Sequence, residues 1–137
     1  MVWMISLKEE FANAIVEHRK FVELRTRVPS SIEVGDYVFA CVAGSGGMVK
    51  LGFQVCEIIA SRPSWVWSKY GNELAIDREA FDLYVEGRSI VYGLRWGYIV
   101  YRERPWWLEE FGLLHSPRWF SRVNHLPAGL EDWGVKK

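Results

Sequence analysis

Apolar and polar residues alternate most clearly over residues 20 to 28, and this alternation predicts a strand. Val22 and Leu24 fall on one face of it. The opposite face carries an aromatic ring and three charged side chains: Phe21, Glu23, Arg25 and Arg27. Lys20 stands at the entrance of the strand, so the charged face is the first place to look for a functional site.

Two other segments have the periodicity of amphipathic helices. The first covers about residues 8 to 17, where Ser6 and Glu9 have the spacing of a capping box. In the second, Asp77 is expected to be the N-cap residue and Gly87 the stop signal. Both helices would be short.

The remaining apolar segments predict more strands. The stretch "YVFACV", after the Gly35-Asp36 turn, is apolar on both faces, as in a central strand. "GSGGM" lacks the lysine and hydroxyl residue of a phosphate-binding loop and is expected to be a hairpin turn. Further strands are predicted over "VKLGFQVCEII", "SIVYGL", "WGYIVYRER" and "RWFSRV", with residues 60 to 76 irregular and "PWWLEEFGLL" a turn. Five to six strands with two or more short helices predict an α+β fold, a small mixed or antiparallel β-barrel.

Composition restricts the partners that the chain can have. Its 137 residues, half of them hydrophobic, are typical of one globular domain. The formal net charge is zero, so any binding of nucleic acid must depend on a local patch. Residues 88 to 122 contain six arginines against three glutamates, an excess that fits a solvated surface and a binding surface about equally well.

Cysteines and histidines do not have metal-ligand spacing. Cys41 and Cys56 lie in apolar stretches outside any CxxC pair and are expected to be small buried hydrophobes. The three histidines are widely separated, so we expect neither a metal nor another cofactor. No apolar run is long enough to span a bilayer, and no signal peptide is recognisable, which predicts a cytoplasmic protein without a membrane partner.

The order of these motifs resembles the ASCH domain family, a branch of the PUA-like barrels. Its members have "S-x-K" before a helix, then "G-x-K-x-x-E-x-R" on a strand, then "G-D" before the next strand. Here "SLK" at 6 to 8, "HRKFVELR" at 18 to 25 and "VGDYV" at 34 to 38 match, with His18 in place of the glycine. The segments "IDREAFDLYVEGR" and "PRWFSRV" resemble archaeal members. The resemblance implies a domain over residues 1 to 123 and a C-terminal tail over 124 to 137.

The family resemblance also implies a function. PUA-like domains are associated with RNA and with modified bases, so the expected partner is RNA, another single-stranded nucleic acid or a nucleoside. A few ASCH proteins are hydrolases that cut RNA or deacylate acetylated cytidine, and a metal-independent hydrolase is therefore the alternative. The positions carried over from the family are Lys20, Glu23 and Arg25, of which Lys20 and Glu23 would be catalytic in a hydrolase.

Either function requires a cleft. We expect Glu23 and Arg25 to line it, with Lys20 entering from the junction of helix and strand. In a binder the cations would hold a phosphate or a base edge, and aromatic rings would stack a base. The predicted aromatic members are Phe21, Trp65, Trp67 and Trp106. A protein-interaction module would instead show an exposed patch of tryptophans and no pocket over the strand.

Overall fold

The framework of the molecule is one mixed sheet, seen in a computed structural model that describes residues 1 to 137. Its six strands are β1 (Val2–Leu7), β2 (Val22–Arg25), β3 (Tyr37–Val42), β4 (Met48–Ser61), β5 (Val91–Trp107) and β6 (Ser121–Val123). They lie in the order β2-β5-β4-β3-β1-β6. Only β1 and β3 run parallel, and every other neighbouring pair is antiparallel.

Three short helices lie against this sheet. They are α1 (Glu9–Val16), α2 (Pro63–Tyr70) and α3 (Arg78–Val85), and 3-10 turns follow at Gly71–Glu73, Leu108–Phe111 and Leu130–Trp133. None of the helices has the length and apolar character needed to cross a membrane. Helix α3 begins as predicted, because the Asp77 carboxylate accepts a hydrogen bond from the backbone N–H of Ala80 at 2.8 Å.

The start of α1 and the presence of α2 differ from the sequence-based prediction. Lys8, not Ser6, is the N-cap residue of α1, since Ser6 is still part of β1 and its hydroxyl donates to the carbonyl oxygen of Pro117 at 2.8 Å. Helix α2 lies in the segment expected to be irregular. It buries only Val66 and Tyr70, so its apolar periodicity is too weak to recognise from the sequence.

Strand β3 is the centre of the core, and all six of its residues are buried as predicted. Its alternate residues contribute to two apolar clusters on the opposite faces of the sheet. A third cluster joins β2 to α2 and α3, where Val22 and Leu24 pack against Val66 and Phe81. The apolar face of β2 is therefore covered by helices, which leaves its charged face pointing the other way.

The sheet does not close into the barrel that the sequence predicted, although the α+β class is right. β2 and β6 are its two edges, and they contain only four and three residues. Strands β4 and β5 are long, with three irregularities in their pairing, and such bulges bend a sheet.

The two cysteines differ in exposure. Cys56 lies at one of these irregularities, between Val55 and Glu57, and is exposed, so the prediction that it is buried was wrong. Cys41 is buried as expected.

Residues 124 to 137 pack onto the same core. Leu130 and Val135 are both almost completely buried, in the cluster that contains Val2 and Phe111. The predicted tail is thus folded against the rest of the domain.

Candidate functional site

A cavity of about 400 Å³ lies between the end of β1, the start of α1, the strand β2 and the helix α3. Its polar lining comes from all four elements: Ser6, Lys8, Lys20, Glu23, Arg25 and Tyr84. The apolar wall is formed by Leu7, Phe11, Leu24, Ile76 and Ala80. A cavity therefore lies over the charged face of β2, and Lys20, Glu23 and Arg25 all line it.

Lys20 reaches this cavity because of a tight turn after α1. His18 adopts a left-handed conformation with φ of 59°, and the backbone N–H of Lys20 donates to the carbonyl oxygen of Ala14. This conformation explains why glycine is expected at position 18, since only glycine adopts it without steric cost. The turn directs the Lys20 side chain inward, where it is 3% exposed.

Glu23 lies between the two cations of the strand. Its Oε2 atom accepts a hydrogen bond from Nε of Arg25 at 2.8 Å, and its Oε1 atom is 3.4 Å from Nζ of Lys20. Lys20 also donates to the backbone carbonyl oxygen of Leu74 at 2.9 Å. Both carboxylate oxygens of Glu23 are thus engaged, as a buried carboxylate requires.

Arg25 connects the charged face of β2 to the end of β1. Its Nη2 atom donates to the carbonyl oxygen of Ser6 in β1 at 3.2 Å, and its guanidinium lies 5.5 Å from the Phe120 ring. A guanidinium has five N–H donors, of which the two hydrogen bonds described use two. Arg25 therefore has donors left for a ligand in the cavity that it lines.

The charges and walls of the cavity favour a particular kind of ligand. Three cationic side chains, Lys8, Lys20 and Arg25, line it together with one carboxylate. Burial raises the pKa of Tyr84, so its phenol is a neutral hydrogen-bonding group at physiological pH. The cavity thus suits an anion attached to a flat or apolar group.

Four aromatic residues predicted for the site lie elsewhere. Phe21 is half-buried just before β2, Trp65 is exposed on α2, and Trp67 packs on Phe81 with ring centroids 5.0 Å apart. Trp106 is 2% exposed and belongs to the core beside Phe39, so it is not at a cleft rim. None of these four rings lines the cavity.

Sequence reasoning considered the Tyr84 hydroxyl but did not identify the rest of the wall near α3. Ala80 and Tyr84 line the cavity and are spaced four residues apart, which places them along one side of the helix, and Ile76 lines it just before the N-cap residue. This spacing was visible in the sequence. Their direction toward β2 and not toward solvent depends on tertiary packing.

Similarities to known proteins agree with this architecture. The chain matches no family model. It is 33% identical over 86 residues to an ASCH domain-containing ribonuclease from Zymomonas mobilis, a match that covers 61% of this chain and 56% of that protein. The matched part is thus little more than half the length of the relative.

Solved structures show the same fold. The crystal structure of ASCH from Zymomonas mobilis superimposes with a TM-score of 0.75 and 22% identity over 90% of this chain and 87% of that chain. A mutant of the same protein gives 0.74 over 90% and 88%. The sequence match and the shared fold both agree with the resemblance of the chain to the ASCH domain family.

Proposed function

We propose that the chain binds single-stranded RNA, with one nucleotide in the cavity lined by Lys20, Glu23 and Arg25. The observation that carries the proposal is the excess of cations in a cavity with apolar walls. Phosphate oxygens accept hydrogen bonds from lysine and arginine, and a base can lie against apolar side chains. The name of the relative, a ribonuclease, supports RNA as the class of partner.

The size of the cavity argues for an unpaired nucleotide. Its volume of about 400 Å³ is near the lower end of the usual range for small-molecule sites, roughly 300 to 1,000 Å³. A base within a duplex is stacked and paired and cannot enter such a space. A single-stranded base is free to do so, and so is a nucleoside.

The geometry of Glu23 favours binding over catalysis. Each of its carboxylate oxygens already faces a cation, so a proton taken from a substrate would remove the negative charge with which both cations interact. Its position suits a residue that fixes the two cations in a defined geometry. Lys20 and Arg25 would then contact the ligand.

A titration with a fluorescently labelled single-stranded RNA, followed by anisotropy, tests the proposal. We expect binding that weakens with salt and that Arg25→Ala reduces by about tenfold or more, because a charge-assisted hydrogen bond contributes about 1.5 to 3 kcal/mol. Arg104→Ala is the matched control, since Arg104 is an exposed arginine that does not line the cavity. Absence of binding at low salt, or equal losses in the two variants, would contradict the proposal.

A second candidate function is metal-independent hydrolysis of RNA or of an acylated nucleoside. It is favoured by the 3.4 Å approach of Lys20 Nζ to Glu23 within the cavity and by the name of the relative. In this mechanism Lys20 would act as the base or would activate the nucleophile.

Incubation with RNA and with N4-acetylcytidine, in the presence of a chelator, distinguishes the two functions. Turnover that is lost in Lys20→Met, a variant of similar length without the charge, would establish an enzyme. RNA binding without turnover of either compound would favour the binder.

A further inference from the structure

A series of contacts between aromatic and cationic side chains leads from the cavity, through the buried Phe120 ring, to the molecular surface. The Arg25 guanidinium lies 5.5 Å from the Phe120 ring, and the Phe120 ring contacts the Trp119 ring edge-on, with centroids 5.5 Å apart. The guanidinium of Arg27 in turn lies 5.2 Å from the Trp119 ring. Trp119 is thus two side-chain contacts from Arg25, and it is the first exposed ring along this path.

The position of Trp119 is fixed by the same elements that build the cavity. Its indole N–H donates to the carbonyl oxygen of Arg27 at 3.4 Å. Two residues earlier, the carbonyl oxygen of Pro117 accepts a hydrogen bond from Ser6, which lines the cavity. Despite these contacts Trp119 remains 38% exposed, so part of its ring is accessible.

The charged side chains of the segment that carries Trp119 have one sign. The segment from residue 112 to 123 contains Arg118 and Arg122 and no aspartate or glutamate, and both arginines are exposed. Arg27 adds a third exposed cation beside the ring. An accessible indole among arginines is the arrangement by which proteins hold single-stranded nucleic acid, with bases stacked on rings and phosphates near cations.

We propose that Trp119 and Arg27 form a second subsite, which binds the nucleotide adjacent to the one in the cavity. The base stacks on Trp119, and the phosphate between the two nucleotides lies between Arg25 and Arg27. This inference rests on the proposed function and extends it: the preferred ligand is an oligonucleotide of at least two residues, not a free nucleoside. It also gives a functional role to Arg27, which follows β2 and was predicted to lie on its charged face.

Calorimetric titration with uridine 5′-monophosphate and with single-stranded oligouridylates of two and four nucleotides tests the subsite. Wild-type protein should gain affinity with length. Trp119→Ala should lose about tenfold or more of that gain, as expected for one stacked base, and should bind the monophosphate unchanged. Trp119→Phe should keep most of the gain. Arg27→Ala should lower the salt dependence of tetranucleotide binding by about 0.7 in the log-log slope, as for one phosphate contact.

Trp133→Ala is the matched control, because Trp133 is a comparably exposed tryptophan that does not line the cavity. Its affinities should equal those of the wild type. An equal gain with length in Trp119→Ala and wild type, or no gain in the wild type, would overturn the subsite alone. A wild-type protein that binds none of the three ligands would overturn the proposed function and the subsite together.

Discussion

At the scale of single residues, Glu23 determines the geometry of the candidate site. It is 6% exposed and is the one carboxylate in a cavity with three cations. A buried cation without its counter-charge is costly, because the desolvation of the charge is no longer offset. Glu23 therefore stabilises both the fold and the positions of Lys20 and Arg25.

The substitution Glu23→Gln should lower the free energy of unfolding by about 3 kcal/mol, since it removes the carboxylate that compensates the charges of both Lys20 and Arg25. Urea denaturation measures the change. The control is Glu103→Gln, which alters an exposed glutamate and should change stability by less than about 0.5 kcal/mol. If Glu23→Gln were as stable as the wild type, the ion pairs at this site would not be structurally important.

The lowered pKa of Asp36, the aspartate of the "VGDYV" motif, makes the stability of the fold depend on pH. Burial raises the pKa of its carboxyl group, but hydrogen bonds from the Trp3 indole, the Glu33 backbone N–H and the N-terminal ammonium group, with the charge of that group, together outweigh this and leave the pKa below its ordinary value of 3.8. The folded state therefore binds this proton less tightly than the unfolded chain. The resulting stabilisation is complete above the ordinary pKa and is lost as pH falls through the lower, folded value.

We expect the free energy of unfolding to fall with decreasing pH below about 4 in the wild type. The decrease should be shallower in Asp36→Asn, which is also less stable at pH 7 because a neutral amide oxygen accepts these two hydrogen bonds less strongly than a carboxylate does. Denaturation curves at several pH values between 2 and 7 provide the measurement. Parallel pH profiles for the two proteins would show that Asp36 does not contribute to acid sensitivity.

How much of the site was predictable differs from residue to residue. Alternation along one strand was enough to place Glu23 and Arg25 on a common face, because the two-residue repeat of a strand is a local property. Lys20 precedes the strand and joins this face only through the turn at His18. Alternation did not predict that Trp106 is buried in the core. Pro105 suggested a turn, whereas β5 continues through it to Trp107, and this continuation buries Trp106 beside Phe39.

At the scale of secondary structure elements, the contact between β3 and β4 depends on a glycine. Phe39 and Gly52 are paired in the sheet, and a Cβ atom at position 52 would lie 2.7 Å from the Phe39 ring. The ring cannot move away easily, since it is fully buried and lies against Trp106 and Phe111. The apolar pattern predicted both strands, but it did not indicate which glycine accommodates a ring.

The substitution Gly52→Ala should therefore destabilise the protein by about 1 to 3 kcal/mol through overpacking. Thermal unfolding followed by circular dichroism measures the loss. Gly97→Ala is the control, because Gly97 also lies in a long strand but has no atom within 4 Å of the position of an added Cβ. Similar melting temperatures for the two variants would mean that the Phe39 ring can be displaced at little cost.

At the scale of the whole molecule, the residues after β6 belong to the core. Family resemblance ended at residue 123, so sequence motifs gave no reason to include them. Leu130 nevertheless packs with residues of β1 and β3, because it covers apolar surface on the face of the sheet that carries Met4 and Phe39. Long-range contacts of this kind leave no local pattern in the sequence.

Leu130→Ala should cost about 2 to 5 kcal/mol, as do other truncations of fully buried leucines. Urea denaturation of this variant and of Leu114→Ala, at an exposed leucine, provides the comparison. Equal stability of the two variants would indicate that residues 124 to 137 do not contribute to the folded domain.

The gap between β2 and β1 has a consequence for local opening of the structure. β2 is a short edge strand with a single neighbour, and a side chain, Arg25, links it to β1, with which it shares no backbone ladder. Segments held by few contacts open without global unfolding, and their amide protons exchange with solvent sooner. A ligand that contacts Arg25 would hold this strand in place, so occupancy of the cavity should slow deuterium uptake in β2 more than in β3 or β4.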